Sequence, residues 1–307
     1  MLCSVSATID LVAPLTTRPL RLQDADAVCA LVRRSEEHEI GEALVDLEDI
    51  VGDWQRPSLD LGRHTIGAFD GDEMVACAEV FRGRRVAADV DPAHHGRGIG
   101  TAMIGWTQQV ARDYGGSLVG QSVPEDSAAA RLLRTHGYAP LWQSWVLELP
   151  TGRSIPVTEL NDGICIRTFE PGRDEHAAYQ IVEDAFNEWP DREPSEYGDW
   201  AAGVLLRPGF EPWQLLLAVT QEGDVVGVCN VVLSGGCAFV SQLAVRRDHR
   251  NRGLARALLL EAFGAGRAHG ARRAELSTDS RTGALSLYLR VGMEVTHTWV
   301  HLGKALD

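Results

Sequence analysis

Two stretches of this 307-residue chain repeat each other at a fixed distance. Val90, Arg97, Gly98 and Ala102 recur 155 positions later as Val245, Arg252, Gly253 and Ala257. Without a gap, the same shift pairs Gly115 with Gly270, Ser122 with Ser277, Leu132 with Leu287 and Gly137 with Gly292. A register held over so many residues implies two copies of one domain, and so long a period excludes a solenoid. The expected domains are residues 1–152 and 153–307, joined through Pro150, Thr151, Gly152, Arg153 and Pro156. Each is large enough to bury a core of its own.

Composition narrows the function classes. A hydrophobic share of 45% and a charged share of 23% are those of a globular protein. A formal net charge of -14 argues against nucleic acid as the main partner. The six cysteines are scattered without a Cys-x-x-Cys pair, so neither a disulfide framework nor a metal site is expected. Residues 1–15 carry Asp10 and no basic start, unlike a secretory signal, and no apolar run has membrane-spanning length. A cytoplasmic protein follows, with no membrane partner, as a monomer or homodimer.

In each half the pattern reads β-α-α-β-β-β-α-β-α-β, a mixed α/β sheet with helices on both faces. In the first half we expect strands at 18–22, 64–69, 74–81, 85–90, 117–122 and 141–149. Asp24 can cap a first helix whose apolar face carries Ala27, Val28, Leu31 and Val32, and further helices are expected at about 43–54, 98–114 and 125–136. In the second, strands are expected at 164–168, 214–220, 225–233, 237–245, 273–278 and 293–302, with helices at 174–186, 253–269 and 282–291. The charged run Glu36, Glu37, His38 and Glu39 reads as a solvated helix end or as a contact for a cationic amine.

The repeated motif sits where a strand gives way to a helix. Its second copy runs Val245, Arg246, Arg247, Asp248, His249, Arg250, Asn251, Arg252, Gly253, Leu254, Ala255, Arg256. Its first ends Val90, Asp91, Pro92, Ala93, His94, His95, Gly96, Arg97, Gly98, Ile99, Gly100, Thr101. A helix leaves its first N–H groups unpaired, and with the positive end of its dipole these make a seat for a phosphate. Arg250, Arg252 and Arg256 add charge, and Gly253 permits close approach to the backbone. The spacing is neither a Walker loop nor a dinucleotide fingerprint. It resembles the pyrophosphate loop of the GCN5-related N-acetyltransferases (GNAT). The resemblance covers residues 17–149 and 164–303 and implies two tandem GNAT domains, an architecture similar to that of mycothiol synthases.

The resemblance implies an acetyltransferase that moves acetyl from acetyl-CoA directly to an amine. Backbone donors must polarise the thioester carbonyl, a base must take the amine proton, and the departing thiolate must gain one. For the C-terminal copy it implies a coenzyme A site at Leu243, Ala244, Val245, Arg250 to Arg256 and Arg281, the last where the family often has Asn. Tyr288, four residues before Gly292-Met293, matches the position of the family's proton donor; in the N-terminal copy Leu133 stands there. Leucine donates no proton, and His95 replaces Arg250. The chemistry is therefore expected in the C-terminal half. The N-terminal half, with Val90 and His95 to Thr101, is expected to be structural or to bind coenzyme A only.

The base is left open. The fourth strand of the second half offers Ser241 and Gln242, which can hold a water, and Glu79 and Asp89 are strand carboxylates in the first half. The resemblance implies that the segment 187–200 covers the acceptor pocket, with Glu188, Trp189, Glu193, Glu196, Tyr197 and Trp200 as lining and one of its glutamates as an alternative base; otherwise the segment is aromatic packing with exposed acids. Phe239 stands where mycothiol synthases carry a strand glutamate, so the acceptor is left as a small-molecule primary amine. The readings that compete with this enzyme are a coenzyme A-binding sensor without turnover and a protein lysine acetyltransferase.

Overall fold

The computed structural model describes residues 9, 14–150, 152, 155, 163–189, 192 and 194–306. Most of the expected leader, Thr151, Arg153 and Pro156 of the linker, and the acceptor candidate Glu193 lie outside the described residues. The chain forms two compact units, residues 1–143 with 298–307 and residues 144–297.

The first unit opens with β1 (Thr16–Arg18), α1 (Ala25–Ile40), α2 (Leu47–Trp54) and the short α3 (Leu61–His64). The antiparallel strands β2 (Thr65–Asp70), β3 (Glu73–Phe81) and β4 (Arg85–Val90) follow. Then come α4 (Ile99–Asp113), β5 (Leu118–Pro124), α5 (Ala128–Thr135) and β6 (Ala139–Leu149). The second unit repeats this with β7 (Cys165–Thr168), α6 (Glu175–Phe186), α7 (Tyr197–Gly203), β8 (Leu215–Val219), β9 (Val225–Ser234), β10 (Cys237–Val245), α8 (Leu254–Ala268), β11 (Arg273–Asp279), α9 (Leu285–Val291) and β12 (Glu294–Ala305). Shifted by 155, α4 and β5 coincide end to end with α8 and β11.

Strand side chains alternate between two cores, as a period of two requires. On β8, Leu216 and Ala218 join Leu258 and Phe263 of α8 on one face. Leu215, Leu217 and Val219 join Ile181 of α6 and Trp200 of α7 on the other. Helices thus cover both faces, as expected.

The last strands depart from chain order. Residues 299–305 of β12 pair antiparallel with β5 of the first unit, Trp299 opposite Pro124 and Ala305 opposite Leu118. Residues 144–149 of β6 pair antiparallel with β11 of the second unit. Each half therefore lends its final strand to the sheet of the other. A boundary at 152/153 follows the sequence copies; the packing units differ from it by these two segments. Val300 and Leu302 lie in the core of the first unit, and burying two such side chains contributes roughly 3–6 kcal/mol, a large part of a domain's stability. Deleting residues 298–307 is expected to unfold the first unit. The loss of slow-exchanging amides in β2 to β5 measures it; full protection there would contradict the exchange.

Both units lock their first strand to their first helix with a forked ion pair. Arg18 donates to both carboxylate oxygens of Asp24 at 2.7 and 2.8 Å, and Arg167 to both of Asp174 at 2.5 and 2.8 Å. Bonds from Arg18 and Arg167 hold the two carboxyls below the ordinary carboxylate range against the opposing effect of burial. A depressed folded pKa gives stability that is present above the unfolded value near 4 and lost as pH falls through the folded one. Asp174→Asn is expected to cost about 2 kcal/mol near neutral pH, and the cost should shrink in acid below about pH 4. Urea unfolding at pH 7 and pH 3 checks this; an equal cost at both would contradict it.

Candidate active site

The repeated turns place two left-handed residues two positions apart. Gly96 and Gly98 have φ of 74° and 81°, and Asn251 and Gly253 have 62° and 81°. Asn stands in for Gly at the first position because its short polar side chain tolerates this region. Neither α4 nor α8 has a side-chain cap at its first end. The first helical bonds run from Ala102 N–H to the Gly98 carbonyl and from Ala257 N–H to that of Gly253. The amides before them point out of the helix end without helical acceptors. A Cβ added at Gly98 or Gly253 meets nothing within 4 Å, so the space over both turns is open.

A parting of strands leads into each turn. In the second unit the parallel pairing of β10 with β11 runs from Cys237 opposite Arg273 to Val240 opposite Leu276 and then stops. At that point the β10–β9 register slips between Val240 and Gln242, an extra residue that bends the strand and re-aims its neighbours. From Gln242 to Val245, β10 keeps its β9 partner on one edge only. In the first unit β4 and β5 pair only at Arg85–Gly120 and Val86–Gln121. The sequence pointed to the turns, but not to this wedge.

The site residues expected from sequence fall into three groups. Ala244, Val245, Leu254 and Ile99 have side chains in the core, so only their backbone reaches a ligand. Asn251, Arg252, Gly253, Gly96, Arg97, Gly98 and Thr101 are exposed around the turns, with Leu243, Ala255, Arg256, Val90 and Gly100 partly buried beside them. Arg250 differs from a free charge: its Nε donates to the Val245 carbonyl at 2.9 Å and its two terminal nitrogens to Glu188 at 2.7 and 3.0 Å. His95 makes the matching contact in the first unit, Nε2 to the Val90 carbonyl at 3.2 Å. The residue at this position thus pins the turn to its strand, which a histidine can do without a charge. Arg281 is held by Asp279 at 2.6 Å and lies 5.1 Å from the centre of the Trp189 ring.

Around β10, Asn230 donates to the Ser241 hydroxyl at 2.8 Å and Trp200 to the Gln242 amide oxygen at 3.1 Å. Sequence reasoning missed Asn230, a buried polar residue inside an apolar strand. Trp200 belongs to the core beside α6, and Glu196 is exposed at the start of α7. Of residues 187–200, Glu188 is paired with Arg250 and Trp189 lies under Arg281. Tyr288 is buried in the core that also holds Cys229, the residue opposite Leu243. Its hydroxyl makes no hydrogen bond among the described residues, and burial pushes its pKa up to about 12.

The first unit encloses a cavity of about 700 Å³ in its wedge. Its lining includes His95, Gly96, Gly98 and Thr101 of the turn and the carboxylate residues Asp89, Glu36 and Glu39. Val32, Ser35, Glu36 and Glu39 line it together because they lie three, four and seven positions apart on α1. That spacing was visible in the charged run, whose other members Glu37 and His38 are exposed. Glu79, by contrast, accepts from the Trp54 indole at 3.0 Å. Leu133 lines the cavity where Tyr288 stands in the other unit.

Acetyl-CoA fits this chemistry. Open left-handed turns, uncapped helix ends and strand edges without partners offer main-chain donors to a pyrophosphate and an amide-bearing chain. Among the described residues no group of three or more His, Cys, Asp and Glu side chains is placed to hold a metal ion. No described helix is long and apolar enough to cross a membrane.

Comparison with known proteins agrees with this geometry. The family model "Acetyltransferase (GNAT) family" matches residues 26–138 and 175–293. A mycothiol acetyltransferase of Thermobispora bispora is 29% identical over 88% of this chain and 92% of its own length. The crystal structure of a GCN5-related N-acetyltransferase from Sphaerobacter thermophilus is 33% identical, covers 97% of this chain and 98% of its own, and superimposes with a TM-score of 0.76. A tandem GNAT protein from the clavulanic acid biosynthesis pathway shares the fold at 16% identity and a TM-score of 0.74, over 95% of this chain and 99% of its own.

Proposed function

The chain belongs to the acetyltransferase (GNAT) family and is an N-acetyltransferase that uses acetyl-CoA, and we propose that its C-terminal half acetylates the primary amine of a small molecule. The observation that carries this reading is Tyr288, a buried phenol without a partner among the described residues, in the same core as the strand opposite Leu243. When bound, acetyl-CoA supplies the thioester and its thiol leaving group. The amides of Asn251 to Arg256 hold its pyrophosphate, and the open edge of β10 aligns its amide-bearing arm.

The hydroxyl of Tyr288 stays protonated through the working range and donates toward the leaving sulfur. Against an ordinary thiol near 8.5 a phenol at about 12 transfers its proton uphill. The same burial raises the thiol as well, which narrows the gap and leaves Tyr288 as a hydrogen-bond donor to the developing thiolate. Residues Gln242 to Val245 of β10 carry no carboxylate. Ser241 and Gln242, each fixed by a neighbour, hold the water that takes the amine proton. Relatives carry the name mycothiol acetyltransferase, and the acceptor proposed here is coarser, a small primary amine. Steady-state thiol release with acetyl-CoA and a panel of such amines tests the reading. Direct transfer predicts intersecting double-reciprocal lines; parallel lines with an isolable acetyl-enzyme would overturn it.

A further inference from the structure

The two halves hold complementary parts. The C-terminal half has Tyr288 and no carboxylate on the open part of β10. In the first unit Asp89 stands on the corresponding part of β4, where the 155-residue shift places Ala244 in the second. Asp89 faces the cavity of about 700 Å³, with Ser35 and Glu36 of α1 on the same wall. Cys77 lies opposite Asp89 on β3, and His95 closes the cavity toward the turn. A second feature of the wall is the Trp299 indole N–H, which is buried and has no acceptor among the described residues. A buried donor left unpaired loses free energy until a ligand oxygen meets it.

We propose that the N-terminal half is a second acyl-transfer centre, in which Asp89 takes a proton from a compact cationic amine bound in this cavity. Glu36 and Glu39 line the same cavity and add negative charge that suits a cation, and each is held in place by backbone donors. Leu44 and Val45 N–H reach Glu36 at 2.6 and 3.0 Å, and Ala128 N–H reaches Glu39 at 3.0 Å. The Gly96–Thr101 turn, which lines the same cavity, takes the donor's phosphates. Burial raises the carboxyls of Asp89 and Glu36 above the usual range, and Asp89 raises Glu36 further. A raised carboxylate is the stronger base.

The step balances without a side-chain acid. The ammonium gives one proton to the Asp89 carboxylate, and the freed nitrogen lone pair bonds to the thioester carbonyl carbon. The carbon–sulfur bond breaks with its electron pair on sulfur. A second nitrogen proton passes to that sulfur, leaving amide and free thiol. Leu133 in the place of Tyr288 is compatible with this route.

The test uses the full chain carrying Gly253→Asp and Tyr288→Phe, which removes the C-terminal chemistry. Thiol release from acetyl-CoA is followed with ethanolamine, 1,3-diaminopropane and glucosamine. The expected result is turnover with at least one amine that falls about 100-fold on Asp89→Asn and partly returns on Asp89→Glu. With ethanolamine, whose ammonium titrates near 10, the Asn variant should regain rate about tenfold per pH unit between pH 7 and 9, as free amine replaces ammonium. A merely structural role for Asp89 would not give that recovery. No thiol release above the uncatalysed rate with any of the three amines, or an Asp89→Asn variant as fast as its parent, would overturn the proposal. Failure of the C-terminal reading looks different: Gly253→Asp and Tyr288→Phe would then leave the turnover of the unmutated chain intact.

Discussion

Gly253→Asp is expected to raise the KM for acetyl-CoA at least 100-fold while leaving the protein folded. The two effects separate because one substitution acts with opposite signs on fold and ligand. Gly253 is the residue before α8, with φ of 81° and open space where a Cβ would sit. Aspartate is a good capping residue and its charge suits the positive helix end; it also visits the left-handed region at a cost of about 1–2 kcal/mol. Stability should thus change by no more than about 1 kcal/mol. The new carboxylate, however, occupies the place of a phosphate and repels what remains of it. Two charges at about 4 Å interact by about 4 kcal/mol near a protein surface, more than the 2.7 kcal/mol that a 100-fold loss requires. Donor titration monitored by thiol release, with thermal melts alongside, reads both. An unchanged KM would remove the turn from the donor site. Should Gly98→Asp, and not Gly253→Asp, abolish turnover of the best amine, the principal chemistry would belong to the N-terminal half.

Tyr288→Phe is expected to lower kcat by about 100-fold or more and to leave the KM for acetyl-CoA within about twofold, because the hydroxyl acts on the leaving sulfur and not on the phosphates. Phenylalanine fills the same buried space, so the fold is kept. The pH profile carries a second, independent sign. Burial pushes Tyr288 up to about 12, so the donor form persists and kcat should show no basic-limb loss below about pH 10. A profile falling near pH 8 to 9, absent from the Phe variant, would show that the phenol titrates far lower than its surroundings imply.

The fold was legible where the repeat was strongest. Strands 85–90 and 237–245 end at the expected residues, and α4 and α8 lie within one or two residues of them, because a strand entering a glycine turn and then a helix leaves a sharp pattern. The pattern predicts a first strand at 18–22, whereas it stands at Thr16–Arg18; Leu20 instead enters the core beside α1 as irregular chain. The helix Tyr197–Gly203 was read as part of an acceptor segment, since its aromatic residues suit a pocket wall and a core equally. The strand exchange left no trace, because β6 and β12 present the same alternation to either neighbour. The wedge beside each turn was also hidden, since parallel strands part through geometry that no residue type spells out. The sequence marks Tyr288 and Asp89 only by their positions; the burial of Tyr288 and the cavity lined by Asp89 come from packing.

In the proposed mechanism, main-chain amides at the Asn251–Arg256 turn carry the donor with its sulfur toward Tyr288. A crystal structure of the full chain soaked with acetyl-CoA tests it most directly. The expected result is pyrophosphate density on those amides, Arg250 still bonded to the Val245 carbonyl, and the sulfur within hydrogen-bond reach of the Tyr288 hydroxyl. Density for the donor elsewhere, with this turn empty or the sulfur far from Tyr288, would contradict it.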